Sequence, residues 1–498
     1  MSRVEPSASR RLVYALLIVV ASSGVAGRIA NVQFVFEPAL FRDESNPADR
    51  RTKWPATRPQ PMPTFSSNDR SRWATIRALV DEGTYAIGRR DASGSDSGII
   101  FEDGWKSVDK VLHPEKKEFY SSKPPLLSTL VAGLYWLLQA LFGWTLTGEP
   151  FAVVRTILVF VNLVPFVIYL VLLSRLVERC GTTDWGRCYV MAAACFATLM
   201  TPFLTTLNNH TIATCCVLFA LYAVWPLLQM PFRAAPIDAV YVPLRLGLAG
   251  FFAGFTVANE LPALAFAALL GLVLLCRLPK QTLAFFLPAA VIPLAALLWT
   301  NYLAIGEFGF AYDKFGTEWY EYPGSHWQKP RTGEVKHGID WARYHESRAA
   351  YAFHVLVGHH GLFSLSPIWF LAIVGTVIAV KGLRRGNEAV PRAPPETAWT
   401  VVALLTLTLT LVVVGFYLVK SDNYGGWTSG LRWLMWLSPL WLITMVPVVD
   451  WLGQRHWGRC LGYVLLAWSV FSVSYPAWNP WRHPWLYNLM ESGGYVAY

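Results

Sequence analysis

Charge is what this chain has least of. Only 15% of its 498 residues are Asp, Glu, Lys or Arg, against 54% hydrophobic residues and a mean hydropathy of +0.36. Soluble domains carry about a quarter charged residues, so the depletion excludes an ordinary soluble fold. Cysteine is also uninformative. The seven are Cys180, Cys188, Cys195, Cys215, Cys216, Cys276 and Cys460, and none falls in a long polar loop, which excludes a disulfide framework. No Cys-x-x-Cys pair offers a thiolate metal site, and Cys215-Cys216 in its apolar run reads as core filler. Six histidines lie at 326, 337, 345, 354, 359 and 360, and none makes a His-Glu-x-x-His zinc pattern; His345-Glu346 reads as a surface pair. No internal repeat is visible, so the paired interrupted helices of a secondary transporter are missing.

What is present is a succession of apolar runs of span length. The first is 12–34, followed by 126–143, 151–173, 188–207, 211–228, 241–258, 261–276, 282–302, 361–380, 400–418, 431–449 and 460–475. A signal peptide would explain Arg10-Arg11 and the small residues near Gly27, but not the later runs. The expectation is a single all-α polytopic unit over 1–498 with about 11–13 crossings. The net charge of +10 does not suggest nucleic acid. Its Lys and Arg flank the spans at Arg10-Arg11, Arg175/Arg179/Arg187, Arg277/Lys280, Lys381/Arg384/Arg385 and Arg455/Arg459, as the positive-inside bias and anionic lipids select.

Two long loops break the succession: loop A, 38–124, and loop B, 303–360. The basic linker 381–398 reads as cytoplasmic, which puts both loops on the external side. The same parity leaves 126–143 with both ends outside, so it lies in the interface or re-enters, or one of the other runs is divided wrongly. Within loop A, Ser66 or Ser67 can cap a helix from Asp69 to Val80 that Gly83 ends. Trp73, Ile76, Leu79 and Val80 give it one apolar face, the pattern of a helix lying on a membrane surface. The stretch 88–98 reads as a flexible excursion, and Asp81-Glu82 as a solvated helix end.

An acidic residue leading into this helix, Lys123-Pro124-Pro125-Leu126 before the next apolar run, and the polar patch Asn208-Asn209-His210 resemble the GT-C superfamily. The similar branch contains protein-mannosyltransferase-like, aminoarabinose-transferase-like and RgtA/B/C/D-like enzymes. The resemblance implies a membrane glycosyltransferase that takes its sugar from a polyprenyl-phosphate carrier at the non-cytoplasmic face, in bacteria the inner membrane. It implies Asp69 as the catalytic carboxylate. Two positions depart from the family pattern: Arg70 stands where a Glu often follows, and amide and imidazole replace a second carboxylate at 208–210. Asp69 with His210 would then be the whole of a divalent metal site, and two ligands are a poor one.

The residues themselves point to the same chemistry. Transfer from a lipid phosphate needs a carboxylate to take or orient the acceptor hydroxyl proton, cations for the departing phosphate, and an apolar groove for the carrier chain. Asp69 is the candidate carboxylate. Lys123, at the mouth of an apolar run, and Arg432 are candidate phosphate ligands; a charge entering an apolar span is costly without a function. The glycine-rich bend before Arg432, which carries Tyr424, can cradle an anion on its amides. Asn208, Asn209, His210 and Glu260 are candidate sugar or acceptor contacts, and Trp319, Tyr320, Tyr322 and Trp327 can stack on sugar rings. Displacement of a good leaving group needs one base and inverts the sugar carbon. Membrane lipids and a lipid, glycan or protein acceptor are the implied partners. The alternatives are a transporter or flippase, and an O-antigen-ligase-like enzyme, whose large loop would fall later in the chain.

Overall fold

The computed structural model describes residues 7–35, 60–230, 241–329, 331–334, 336, 338–384, 396–421 and 423–498. Most of the basic linker, the first part of loop A, His337 and Asp422 lie outside the described residues. Among those described, seven helices are long and apolar enough to cross a membrane: Ala8–Asn31, Pro125–Phe142, Pro150–Cys180, Asn209–Leu228, Tyr241–Asn259, Pro279–Ile305 and Ala398–Lys420. An eighth is counted if Arg432–Thr444 and Val446–Gly453, bent by 47° at their junction, form one span. The chain is an all-α polytopic membrane protein. Large apolar side chains such as Leu16, Phe160, Leu272 and Ile292 stay exposed on its helices, as a lipid-facing surface requires.

The difference from the expected 11–13 runs has local causes. Leu261–Arg277 and Trp369–Lys381 are apolar but shorter than a full span. The run 188–207 does not form one helix. Asp184–Phe196 stops, a short turn Met200–Phe203 follows, and Asn208 caps the next helix. Thr201 and Thr205 hydroxyls donate to the carbonyls of Thr198 and Pro202 at 2.9 Å each, the local side-chain bonding that competes with a continuous helix. Two long helices carry a π turn, Val159–Leu163 and Thr282–Phe286, each just ahead of a proline, Pro165 and Pro288. Proline removes an amide donor and crowds the preceding turn, and widening that turn absorbs it. The first π turn carries Asn162, whose amide donates to the carbonyls of Leu204 at 2.9 Å and Thr206 at 2.8 Å, pinning the broken segment.

Loop A is folded. Ser66 caps the helix Ser67–Arg77, a π turn Ala78–Glu82 extends it, and Gly83 closes it in the left-handed region at φ 68°. The expected surface helix with one solvated face is instead buried over Asn68–Ile76, because its polar face meets other polar side chains rather than water. The stretch 88–98 is not a free excursion. Gly88–Arg90 pairs antiparallel with Asp96–Ser97 and with Glu118–Ser121, which pairs in turn with Lys110–Leu112. Loop B packs on this small sheet: Leu112 N donates to the Trp319 carbonyl at 3.0 Å, and Trp327 Nε1 to the Val108 carbonyl at 2.8 Å. Trp319, Tyr320 and Tyr322 are buried in that contact, so their rings fill the interface between the loops.

The Pro125–Phe142 helix runs beside the loop A helix along its length. Ser121, just before it, meets Ser71 by hydroxyl contact; Thr129 meets Tyr85 at 3.0 Å, and Tyr135 donates to Asp81 at 2.9 Å. Asp81 is thus a packing partner rather than a solvated end. Elsewhere, Gly250 and Gly254 form a Gly-x-x-x-Gly seam where Tyr241–Asn259 meets Pro279–Ile305. A Cβ at Gly250 would stand 2.1 Å from the Phe286 carbonyl oxygen, and one at Gly254 2.3 Å from that of Ala290. Small residues let the two backbones touch. Gly250→Val is expected to cost roughly 1–3 kcal/mol as a lowered thermal midpoint in detergent. Gly247→Ala, where a Cβ meets nothing within 4 Å, should leave it unchanged.

Candidate active site

Asp69 is the third residue of the loop A helix, and its carboxylate faces back over the helix start. It accepts from Phe65 N at 3.0 Å, Ser66 N at 2.7 Å, Ser66 Oγ at 3.1 Å and Arg70 N at 3.1 Å. This is a capping box, which satisfies amides the helix leaves free. Burial pushes the Asp69 carboxyl above its usual range, and the Phe65 amide, Arg70 and Ser66 only partly offset it. Its oxygens are taken up in starting the helix that carries Arg72.

Arg72 lies one turn further on and is buried. Its guanidinium donates to the Asn68 carbonyl at 2.8 Å and also to the Asn68 side chain, while its second nitrogen reaches Asn209 Oδ1 at 2.6 Å. Asn209 passes the connection on: its amide donates to Glu260 Oε1 and to the Asn259 carbonyl, both at 2.7 Å. The same Glu260 oxygen lies against His210 Nδ1. One polar chain therefore joins loop A, the start of Asn209–Leu228 and the end of Tyr241–Asn259. Burial lowers the Arg72 guanidinium to about 10, where it stays charged at neutral pH.

On the other side of Arg72 stands an ion pair. Lys123 Nζ donates to Asp109 Oδ1 at 2.7 Å. The strand Lys110–Leu112 and its partner Glu118–Ser121 bring the two together, and Ser71 Oγ donates to the Asp109 carbonyl at 2.7 Å. Burial raises the Asp109 carboxyl, but Lys123, Arg432 and Arg72 outweigh it and hold it below its usual range. Arg432 completes the group. It is stacked over Trp481 at 4.7 Å, and one nitrogen donates to the Gly425 carbonyl at 2.9 Å. Its Nε and Nη1 are buried and have no hydrogen-bond partner among the described residues. A buried cation with idle donors is costly, and it marks where an anion is welcome.

Loop B contributes Asp340, which lies against Gly426 of the bend: a Cβ there would stand 2.8 Å from its Oδ1. Burial, with Asp109 adding to it, pushes the Asp340 carboxyl up to about 6 against the partial relief of Arg432 and Lys123.

Of the residues expected from sequence, Asp69, Lys123, Arg432, Asn209, His210 and Glu260 share one electrostatic neighbourhood around Arg72. The others are occupied locally. Asn208 is the cap of Asn209–Leu228, accepting from Thr211 N at 3.0 Å and donating to the Phe203 and Thr206 carbonyls. Tyr424 donates to Glu346 Oε2 at 2.5 Å. Arg72, Asp109 and Asp340 were not singled out as site residues by sequence. Arg72 stands on the polar face of an amphipathic pattern, where solvation is the ordinary reading; the other two are lone acids in long loops.

A second polar group borders this site. Glu346, His354 and His359 place possible metal-ligand atoms within 4.8 Å of one another, and among the described residues no other group of three does so. Asp69 and His210, the pair considered from sequence, are engaged with Ser66 and Glu260 respectively. Burial lowers the imidazoles of His354, of His359 (to about 3) and of the adjoining His483 (to about 4), which favours their neutral forms.

No protein-family model matches the chain, and no curated protein matches it. Among solved structures it is similar to the oligosaccharyltransferase of Archaeoglobus fulgidus in the apo form, with a TM-score of 0.43 and 12% identity over 97% of this chain and 56% of that one. The archaeal oligosaccharyltransferase AglB from the same organism, in complex with an inhibitory peptide and a dolichol-phosphate, gives a TM-score of 0.42 and 12% identity over the same shares. The chain spans a little over half the length of these proteins, 56%.

Asp340 makes a pH prediction. An unfolded Asp titrates near 3.9, and the folded carboxyl at about 6 prefers its proton. Its stabilising contribution is complete below pH 4 and is lost as pH rises to 6. Asp340→Asn should therefore raise the thermal midpoint at pH 7.5, on the order of 2 °C, and leave it nearly unchanged at pH 4. An equal shift at both pH values would refute the placement.

Proposed function

We propose that this protein is a GT-C-type membrane glycosyltransferase. In this reading it moves a sugar from a polyprenyl-phosphate carrier to a hydroxyl of a lipid, glycan or protein acceptor at the non-cytoplasmic face of a cell membrane. The observation that carries the reading is Arg432, whose two buried nitrogens lack partners among the described residues while Arg72 and Lys123 stand close by. Three cations around one vacant set of donors suit the phosphate of a lipid-linked sugar. The Lys123-Pro124-Pro125-Leu126 motif and Asp69 supply the family resemblance beside it.

In this reading the acceptor oxygen attacks the anomeric carbon as the bond from that carbon to the phosphate oxygen breaks. The sugar inverts, and the carrier leaves as the phosphate, with its charge on Arg432, Arg72 and Lys123. The acceptor proton goes to a carboxylate. Asp109 is a poor base, because three cations hold it ionised; its role is to position Lys123. Asp340 is better matched, since its carboxyl titrates at about 6 and makes no hydrogen bond among the described residues. Asp69, the carboxylate the family resemblance indicates, is the competing base, and it would have to release a backbone amide to act. Glu260, Asn209 and His210 line the side toward the sugar.

Both carboxylates are separable by assay with a polyprenyl-phosphate sugar. Asp340→Asn should lower kcat roughly 10²–10⁴-fold with donor binding retained. Asp69→Asn should lower the thermal midpoint along with activity, since a helix cap is worth about 1 kcal/mol. Loss of turnover in Asp69→Asn at an unchanged midpoint, with Asp340→Asn active, would move the base to Asp69. Arg432→Ala should weaken donor binding more than 10-fold, and unchanged binding would remove the central support.

A further inference from the structure

We propose that Glu346, His354 and His359 form a transition-metal site of the kind that takes Zn2+, fastening loop B to the bend that carries Arg432. The inference stands apart from the glycosyltransferase reading, because it rests on a different set of side chains.

The local fold assembles the ligands. Ser347 caps the helix Arg348–Leu356, accepting from Ala350 N at 3.1 Å. That cap places Glu346 just ahead of the first turn and His354 on the last, and the turn after the helix brings in His359. The rings of His354 and His359 stack at 4.0 Å, and His354 Nε2 lies 3.9 Å from Glu346 Oε1. The approach of the ring requires glycine at 358, since a Cβ there would stand 2.4 Å from His354 Nδ1.

Three features distinguish the group from an ordinary packed histidine cluster. One of its imidazoles is under-satisfied: His354 Nδ1 is buried without a hydrogen-bond partner among the described residues, while His359 is bonded through both nitrogens, to His360 and Tyr498. Such groups are rare in folded proteins and point to something that binds there. The donor set is two imidazoles and one carboxylate, a borderline combination that suits Zn2+ better than Mg2+ or Ca2+. Finally, the Tyr498 hydroxyl donates to Glu346 Oε1 and lies 2.9 Å from His359 Nε2, bridging two of the ligands where a cation would sit. It can serve as a fourth ligand or withdraw to the second layer, where Tyr424 already orients the carboxylate.

The site would act on loop position. Tyr424 adjoins Gly425, whose carbonyl holds Arg432, and Tyr351 of the same helix donates to the Asn423 carbonyl at 2.7 Å. A cation on Glu346, His354 and His359 therefore locks loop B against the bend.

The test is metal content, measured without any sugar substrate. Protein carrying a tag without histidine, purified in detergent with added Zn2+ and dialysed against metal-free buffer, should retain about one zinc per chain. The double variant His354→Ala/His359→Ala should retain none, and His345→Ala should match the wild type. If the double variant fails to fold, the wild type loaded with Co2+ decides: a four-coordinate d–d absorption supports the site. Zn2+ should also raise the wild-type thermal midpoint where Mg2+ does not. Wild-type protein without bound zinc, or zinc undiminished in a folded double variant, would overturn the proposal, whatever the outcome for glycosyl transfer.

Discussion

The structure turns on the burial of Arg72. A guanidinium withdrawn from water is tolerated only when its donors are met and its charge is balanced. Here Asn68 meets it from its own helix, Asn209 from a membrane helix, and Glu260, through Asn209, from the end of another. Each partner lies on a different element, so the arginine can be buried only if all three arrive. Loop A is held to the membrane helices by this requirement, and the rest of the polar site is arranged around it.

The same economy explains the other charges. Lys123 is answered by Asp109, and both depend on the small sheet in loop A that sets one strand beside the other. Among the described residues Arg432 is answered only in part, by the Gly425 carbonyl and the face of Trp481. A fold that satisfies Arg72 and Lys123 so fully and leaves Arg432 short of partners concentrates its unmet demand for an anion at one point. Loop B closes the arrangement by placing Asp340 against the bend, while His359 and His360 pack on the ring of Tyr424 in the same bend.

Much of the fold was legible in the sequence. The loop A helix, its Ser66 cap and its Gly83 stop follow from local chemistry, and the structure has all three. The apolar runs also became helices, though fewer are full spans. Where threonines and Pro202 interrupt 188–207, side-chain hydrogen bonds compete with the ladder, and apolar content alone does not register that competition. The sheet in loop A was hidden for a related reason: its strands are two to four residues long and rich in charge, so alternation cannot show.

The sequence by itself determined that this is a membrane protein with two long polar loops, and that Lys123, Arg432, Asn209, His210 and Glu260 stand where apolar segments begin or end. Burial cost is the reason, since polar side chains at such places are conspicuous against an apolar background. Only the tertiary structure decided how each carboxylate is engaged. Asp69 caps a helix, Asp109 holds a lysine, and Asp340 makes no hydrogen bond among the described residues while its carboxyl is raised by burial. All three are the same residue in the sequence. What separates them is which donors lie within reach, and that is set by contacts between segments far apart in the chain.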